Sequence, residues 1–376
     1  MAETTAPRLD DEAPVDEPGG TAHQNGHEDG APRVDFSVRR MAVYAGFVVA
    51  AILALYLLLP QLTGLEDTWH RIEEGSPGWL ILAALLTVGM FGGYVALFQG
   101  VFVRAGSRID WRESYQITMA GLAATRLFSA GGAGGLVLMA WALRKSGMDR
   151  RTVADRTISF LVLQYLIYML ALIVCGFGLR WGVFPGPAPW SVTVLPALLA
   201  LLATVIGLSV AFVPTDFERR LRGFSSRQGR LGRTAQRLAN VPAAASAGMR
   251  DALEHVRERD PALLGAIAFW TFQIAVLWAA FEAFGDAPPV AVLVMAFFVG
   301  MLGNLLPLPG GIGGVDGGMI GAFAAFGTDA GLALVAVLVY RGFTFWLPTL
   351  PGAIAYLQLR RTVERWERTR PLHYTN

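Results

Sequence analysis

The sequence predicts an all-α integral membrane protein, built from six transmembrane helices plus two Gly-rich re-entrant helical hairpins arranged as an inverted repeat. Three observations carry that prediction. The 376 residues are 54% hydrophobic and 16% charged, well under the roughly 25% charge of an ordinary soluble domain. Apolar stretches close to the ~20 residues that cross a hydrocarbon core recur along the chain. The chain also resembles itself at an offset of 179 residues.

Residues 1–37 precede the membrane domain. Eight acids stand against Arg8 within residues 1–32, so the rest of the chain carries +9 of a net charge of +2. Rich in Pro and Gly as well, this lead reads as a disordered acidic tail on the cytoplasmic side. The first apolar stretch, Met41 to Leu62, begins after that long polar lead and is followed by no small-residue cleavage motif. It is expected to stay as a helix and not to be removed as a signal peptide. Five further spans are expected at Trp79–Val103, Thr157–Leu179, Ser191–Val213, Pro261–Phe284 and Asp329–Leu359. Residues 38–361 thus form one polytopic domain, and 362–376 a second cytoplasmic tail.

Basic residues set the orientation. Arg33, Arg39 and Arg40 precede the first span, and Arg104, Arg108 and Arg112 follow the second. Arg144, Lys145, Arg150, Arg151 and Arg156 precede the third, seven arginines lie between Arg219 and Arg237, and five follow the last span. All belong inside, which places both termini in the cytoplasm. The opposite loops, Thr63–Gly78, Gly182–Trp190 and Gly285–Pro289, hold Arg71 as their one basic residue.

That orientation leaves two Gly-rich apolar segments, Glu113–Leu143 and Val290–Gly327, which must enter and return on one side. Each is long enough for two half-helices joined at a glycine break, which is tolerated at membrane depth where protein or a wet cavity surrounds it. The offset of 179 residues superposes Gly106 on Gly285, Gly121 on Gly300, Gly131 and Gly132 on Gly310 and Gly311, and Gly134 and Gly135 on Gly313 and Gly314. Repeat units begin near Trp79 and Pro261 and run to about residues 180 and 359. Three crossings and one returning hairpin separate their starts, so the units point in opposite directions. Inverted repeats with interrupted helices are a transporter signature. The loop 214–260 reads as a solvated positive-inside segment, or as a basic amphipathic helix lying on the inner leaflet.

Soluble-enzyme chemistry is set aside by this composition. Cys175 is the single cysteine, so no disulfide framework exists, and all five histidines fall outside the spans, which leaves no metal site to expect. No cofactor and no nucleic-acid partner are expected. Homo-oligomerisation is left open.

The glycine clusters Ser129–Gly135 and Leu308–Gly318 carry two readings. Exposed N–H groups at a half-helix N-terminus suit an anion, which makes Gly131, Gly132, Gly310, Gly311 and Gly313 candidate binding positions. Gly310, Gly314 and Gly318 at four-residue spacing equally suit close helix packing. Four polar residues then stand where charge is expensive: Arg126 before the first break, Asn304 near the matching place in the second, Asp316 within it, and Arg341 a dozen residues into the last span. Intramembrane ionisable residues are functional candidates by default. Arg126 and Arg341 would hold an anionic headgroup, with Asp316 as counter-ion or proton-coupled site. The plainer alternative is an internal Arg–Asp pair that pins the hairpins. Gln164, Tyr168, Gln273, Glu282 and Tyr340 are lesser candidates. Pro348 and Pro351 predict a kink in the last span that needs no ligand.

The run Leu306-Pro-Leu-Pro-Gly-Gly-Ile-Gly-Gly-Val-Asp-Gly-Gly, followed by Ala-Val-Leu-Val-Tyr-Arg-Gly-Phe-Thr-Phe-Trp-Leu-Pro and Pro351-Gly, resembles the lysylphosphatidylglycerol synthase transmembrane-region family. Gly-Gly-Ala-Gly-Gly and Arg144-Lys-Ser-Gly147 fit the same pattern, so the resemblance covers about Val38 to Arg361. Where family members have Pro before the first Gly pair, Ser129-Ala130 stands here. The resemblance implies a stand-alone flippase-like domain of a bacterial plasma membrane, without the aminoacyl-transferase domain. Such a protein moves lipid or a lipid-linked anionic substrate between leaflets and performs no synthesis. Two other readings are kept beside it: a membrane enzyme acting on a lipid-linked substrate, and a scaffold that binds lipid.

Overall fold

The computed structural model describes residues 75–103, 109–128, 133–211, 246, 248–258, 260–305 and 311–368. The acidic lead, the stretch Met41–Leu62, the arginine run Arg219–Arg237 and Gly131, Gly132 and Gly310 lie outside them. Every regular element among the described residues is helical. In chain order these are α1 (Pro77–Phe102), α2 (Trp111–Phe128), α3 (Ala133–Lys145), α4 (Arg150–Arg180), α5 (Val194–Ala211), α6 (Pro261–Phe284), α7 (Val290–Met301), α8 (Gly314–Ala325), α9 (Ala330–Arg341) and α10 (Thr349–Arg368). A 3₁₀ turn, Leu302–Leu305, extends α7, and a π turn, Gly342–Trp346, links α9 to α10.

Local chemistry explains where these helices begin. Pro77 and Pro261 open α1 and α6 at a position where a missing N–H costs nothing. Asp149, Asp260 and Asp329 cap α4, α6 and α9, each accepting a backbone N–H of the first turn. Four helical segments are long and apolar enough to cross a membrane: Pro77–Phe102, Arg150–Arg180, Pro261–Phe284 and the joined Ala330–Arg368. They contain four of the expected spans. The fifth described span, expected at Ser191–Val213, is apolar but shorter, at 18 residues.

The same order of elements occurs twice. A long helix, a hairpin of two short helices and another long helix appear as α1 to α4, and again as α6 to α10, where the π turn interrupts the final member. The two leading helices, α1 and α6, form the most extensive pair in the molecule and run antiparallel. Gly100 faces Ala262 at one end, while at the other Ser76 N donates to Ala283 O at 2.9 Å and the Trp79 and Trp278 rings meet edge to face at 5.0 Å. Contact there depends on missing side chains. A Cβ on Gly93 would stand 2.8 Å from Phe269 N, and one on Gly265 would collide with the Leu97 backbone.

Both hairpins close on glycine in the same way. A Cβ on Gly121 of α2 would press on the Met139 side chain of α3 at 3.2 Å, and one on Gly300 of α7 would lie 2.7 Å from the Met319 Cα of α8. Each hairpin is gripped by the long helix of the other set: α10 lies along α2, and α4 along α7. Gly352 of α10 meets Ala123 of α2, and the Tyr168 hydroxyl of α4 donates to Phe298 O of α7 at 2.6 Å. The centre is aromatic, with Phe98, Phe102, Phe160, Phe281, Phe297, Phe298 and Phe323 fully buried.

Large apolar side chains also line the outside. Ile81, Leu85 and Val88 follow one face of α1 at 63%, 64% and 70% exposure, and leucines of α5 do the same. A surface of this kind suits lipid, where helices associate through close packing of small residues because burial drives nothing. Two expectations gain detail. The last span is interrupted beside its first proline: a π turn at Gly342–Trp346 and a turn at Leu347–Pro348 separate α9 from α10, which continues through Pro351 to Arg368. At the far end of the basic loop residues 248–257 are helical, with Gly248 against Ile158 of α4 on one face and Arg250, Glu254 and Arg257 exposed on the other.

Gly265→Val should separate α1 from α6 and cost about 1–3 kcal/mol. The expected reading is a lower thermal midpoint in detergent than for Leu264→Val, whose side chain faces outward.

Candidate functional site

The described fold brings Arg126, Asp316 and Arg341 together where the end of α2, the start of α8 and the π turn after α9 converge. Pro348 determines one contact. It has no N–H to return to the carbonyl four residues earlier, that of Thr344. Arg126 Nη2 donates to that carbonyl at 2.7 Å, across 218 positions of sequence. The Thr344 hydroxyl turns back to Tyr340 O at 2.8 Å, and the Tyr340 hydroxyl donates to Gln273 Oε1 of α6.

Both cations approach the Phe345 ring. The Arg126 guanidinium carbon stands 5.3 Å from the ring centroid and that of Arg341 4.2 Å. Each is within cation–π range, worth about 0.5–2 kcal/mol depending on desolvation. Two guanidiniums on one ring repel each other, and Asp316 answers for one of them. Its Oδ1 lies 2.6 Å from Arg341 Nε, with the side chains 16% and 12% exposed. That short contact is ionic and poorly aligned as a hydrogen bond. Asp316 Oδ2 accepts from Gly313 N at 2.9 Å, so the same carboxylate serves the first turn of α8.

Arg126 is treated differently. Among the described residues no carboxylate lies within ion-pair distance of it, and its Nη1 is buried without a hydrogen-bond partner. A cation so placed is expensive unless something answers its charge.

The glycines serve geometry. Gly311 and Gly313 have φ of +67° and +80°, which a side chain would strain, and they turn the chain into α8. A Cβ on Gly311 would meet Asn304 Oδ1 at 2.5 Å. Asn304 itself is exposed at the end of the 3₁₀ turn, its amide 3.8 Å from Met301 Sδ. It belongs to the turn of the second hairpin and joins neither arginine. Sequence reasoning missed Phe345 and the Thr344 carbonyl. The signal for the second was present in Pro348, since a proline inside a helix always leaves the carbonyl four residues before it without a donor.

These features define a multi-pass α-helical membrane protein with an ionic cluster at the meeting of two glycine hairpins. Comparison places it further: the model of the lysylphosphatidylglycerol synthase TM region matches residues 43–352, and the chain belongs to that family. Relatives from Methanothermobacter thermautotrophicus, each called a UPF0104 membrane protein, are similar to it. One is 24% identical over 335 residues, which cover 82% of this chain and 92% of the relative. Two others are 36% identical over 91 and 86 residues, so this chain spans about a quarter (26%) of the length of each.

Arg126→Met should leave the Thr344 carbonyl unanswered and lower stability by about 1–3 kcal/mol. Adding Pro348→Ala supplies a backbone N–H to the same carbonyl. Thermal unfolding of the double variant is expected to recover much of the loss, which a purely electrostatic role for Arg126 would not allow.

Proposed function

We propose that this protein is a flippase-like transporter that moves an anionic lipid or lipid-linked substrate between leaflets of a bacterial plasma membrane, with no chemical step. One observation carries the reading: the buried Arg126 guanidinium, its Nη1 without a partner, at the junction of the two hairpins and the broken last helix. A phosphate or carboxylate oxygen is the natural acceptor for that group.

The architecture supports the reading. Two element sets with antiparallel leading helices are taken as an inverted repeat across the membrane. On this view six helices cross, and α2–α3 and α7–α8 are re-entrant hairpins entering from opposite sides. Arg341 ends the 12-residue α9, about 18 Å along its axis, near the middle of a ~30 Å hydrocarbon core. The positive-inside distribution keeps both termini cytoplasmic. Acyl chains would stay in lipid against the outer apolar faces while the headgroup passes the arginines. General acid–base chemistry finds little here, because the carboxylate of the cluster, Asp316, is engaged by Arg341 and Gly313 N.

Headgroup translocation in proteoliposomes tests this, using fluorescent anionic, zwitterionic and polyprenyl-phosphate lipids. Transport of the anionic lipids is expected to fall about tenfold or more in Arg126→Gln, the loss of one charge-assisted hydrogen bond. Arg341→Ala is expected to abolish it. Unchanged transport in folded variants, or none in wild type, overturns the reading.

A further inference from the structure

We propose that Asp316 is a specificity-determining residue, limiting the ligand of this site to a single negative charge: a phosphodiester in preference to a phosphomonoester. The inference rests on the binding reading above and adds the charge class of what is bound.

Two guanidiniums approach the Phe345 ring, at 5.3 and 4.2 Å from its centroid. Left alone, the pair would suit a doubly charged group, with one oxygen for each arginine. Asp316 prevents that by holding Arg341 Nε at 2.6 Å. It is itself held from the other side, because its Oδ2 accepts from Gly313 N. An incoming anion therefore finds one guanidinium, Arg126, that no described carboxylate neutralises, and one buried donor, Nη1, that lacks a hydrogen-bond partner. A single negative charge satisfies it.

A second negative charge at this cluster adds to that of the Asp316 carboxylate, beside the Phe345 ring that both arginines approach. The carboxylate repels it, and the face of an aromatic ring is itself electron-rich. To bind as a dianion, the ligand would have to displace Asp316 from Arg341 and leave that carboxylate buried without its cation. Neither cost applies to a phosphodiester. The preference thus follows from Asp316 and not from the arginines, and it should change when that residue loses its charge.

Competitive binding to the full chain in dodecyl maltoside micelles, which bring no phosphate of their own, tests this at about pH 8, where a phosphomonoester carries close to two charges. The lipid probes are phosphatidylglycerol and phosphatidic acid, and the soluble probes are dimethyl phosphate and methyl phosphate. In wild type the diester of each pair that binds should outrank the monoester. Asp316→Asn keeps an acceptor for Gly313 N and removes the carboxylate charge beside Arg341, and should shift the ratio toward the monoester by about tenfold or more. Asp316→Asn combined with Arg341→Gln removes both members of the ion pair and should restore the wild-type ratio. Competition by dimethyl phosphate as well as phosphatidylglycerol identifies the phosphate alone as the ligand, and competition by lipids only identifies a headgroup; the diester must lead in both cases.

A wild type that prefers the monoester overturns the proposal, and needs no variant to fold. So does a ratio in Asp316→Asn equal to that of wild type. Binding that depends on Arg126 but ignores Asp316 defeats this inference alone, whereas binding that is absent or unaffected by Arg126→Gln defeats the transport reading with it.

Discussion

Pro348 cannot give an N–H to the carbonyl of Thr344, and the Arg126 guanidinium supplies the donor at 2.7 Å. Much else in the centre of the molecule depends on that substitution of a side chain for a backbone group. It ties the first hairpin to the last helix, which belongs to the other set of elements. It holds a cation inside an apolar body by giving it a carbonyl dipole and an aromatic face, with no ion pair to a carboxylate among the described residues. Nη2 makes that bond, and the buried Nη1 has no hydrogen-bond partner. In this chain a helix defect and a binding group are two sides of one contact.

The corresponding contact in the other direction shows what is special about it. Leu302 N turns to Gly300 O and Val299 O as α7 passes into its 3₁₀ turn, so the Phe298 carbonyl also lacks its usual donor. The Tyr168 hydroxyl supplies it at 2.6 Å, from the long helix of the first set to the hairpin of the second. Both halves thus solve a broken helix with a side chain from a distant element. One solution is neutral and complete, the other charged and incomplete. Two sets of elements that are alike in layout differ in chemistry at this point, and the donor without a hydrogen-bond partner belongs to the charged one.

Packing elsewhere follows from the absence of a hydrophobic drive between helices in lipid. Gly93, Gly100 and Gly265 let α1 and α6 touch along their backbones, and Gly121 and Gly300 close the hairpins. Large apolar residues are spent on the outer faces and in the aromatic centre. The polar bridges that remain, such as Thr362 to Gln116 and Ser114 to Gln99, fasten α10 and α1 to α2 at the end away from the arginines.

The amino-acid pattern determined the helical membrane class, the positions of the long spans, the doubled order of elements and the candidacy of Arg126, Asp316 and Arg341. Each rests on local properties: length and hydropathy of a run, glycine spacing, or the cost of a charge in an apolar segment. Tertiary structure decided which of those charges neutralise one another. Whether Asp316 answers Arg126 or Arg341 depends on how the end of α2, the start of α8 and the π turn meet, and no spacing along the chain contains that distance. The same holds for Asn304, which stands one residue from the repeat position of Arg126 yet belongs to a turn. The π turn too is a tertiary choice, because Pro348 requires only that a carbonyl lose its donor, and the location of a replacement donor decides where the helix gives way.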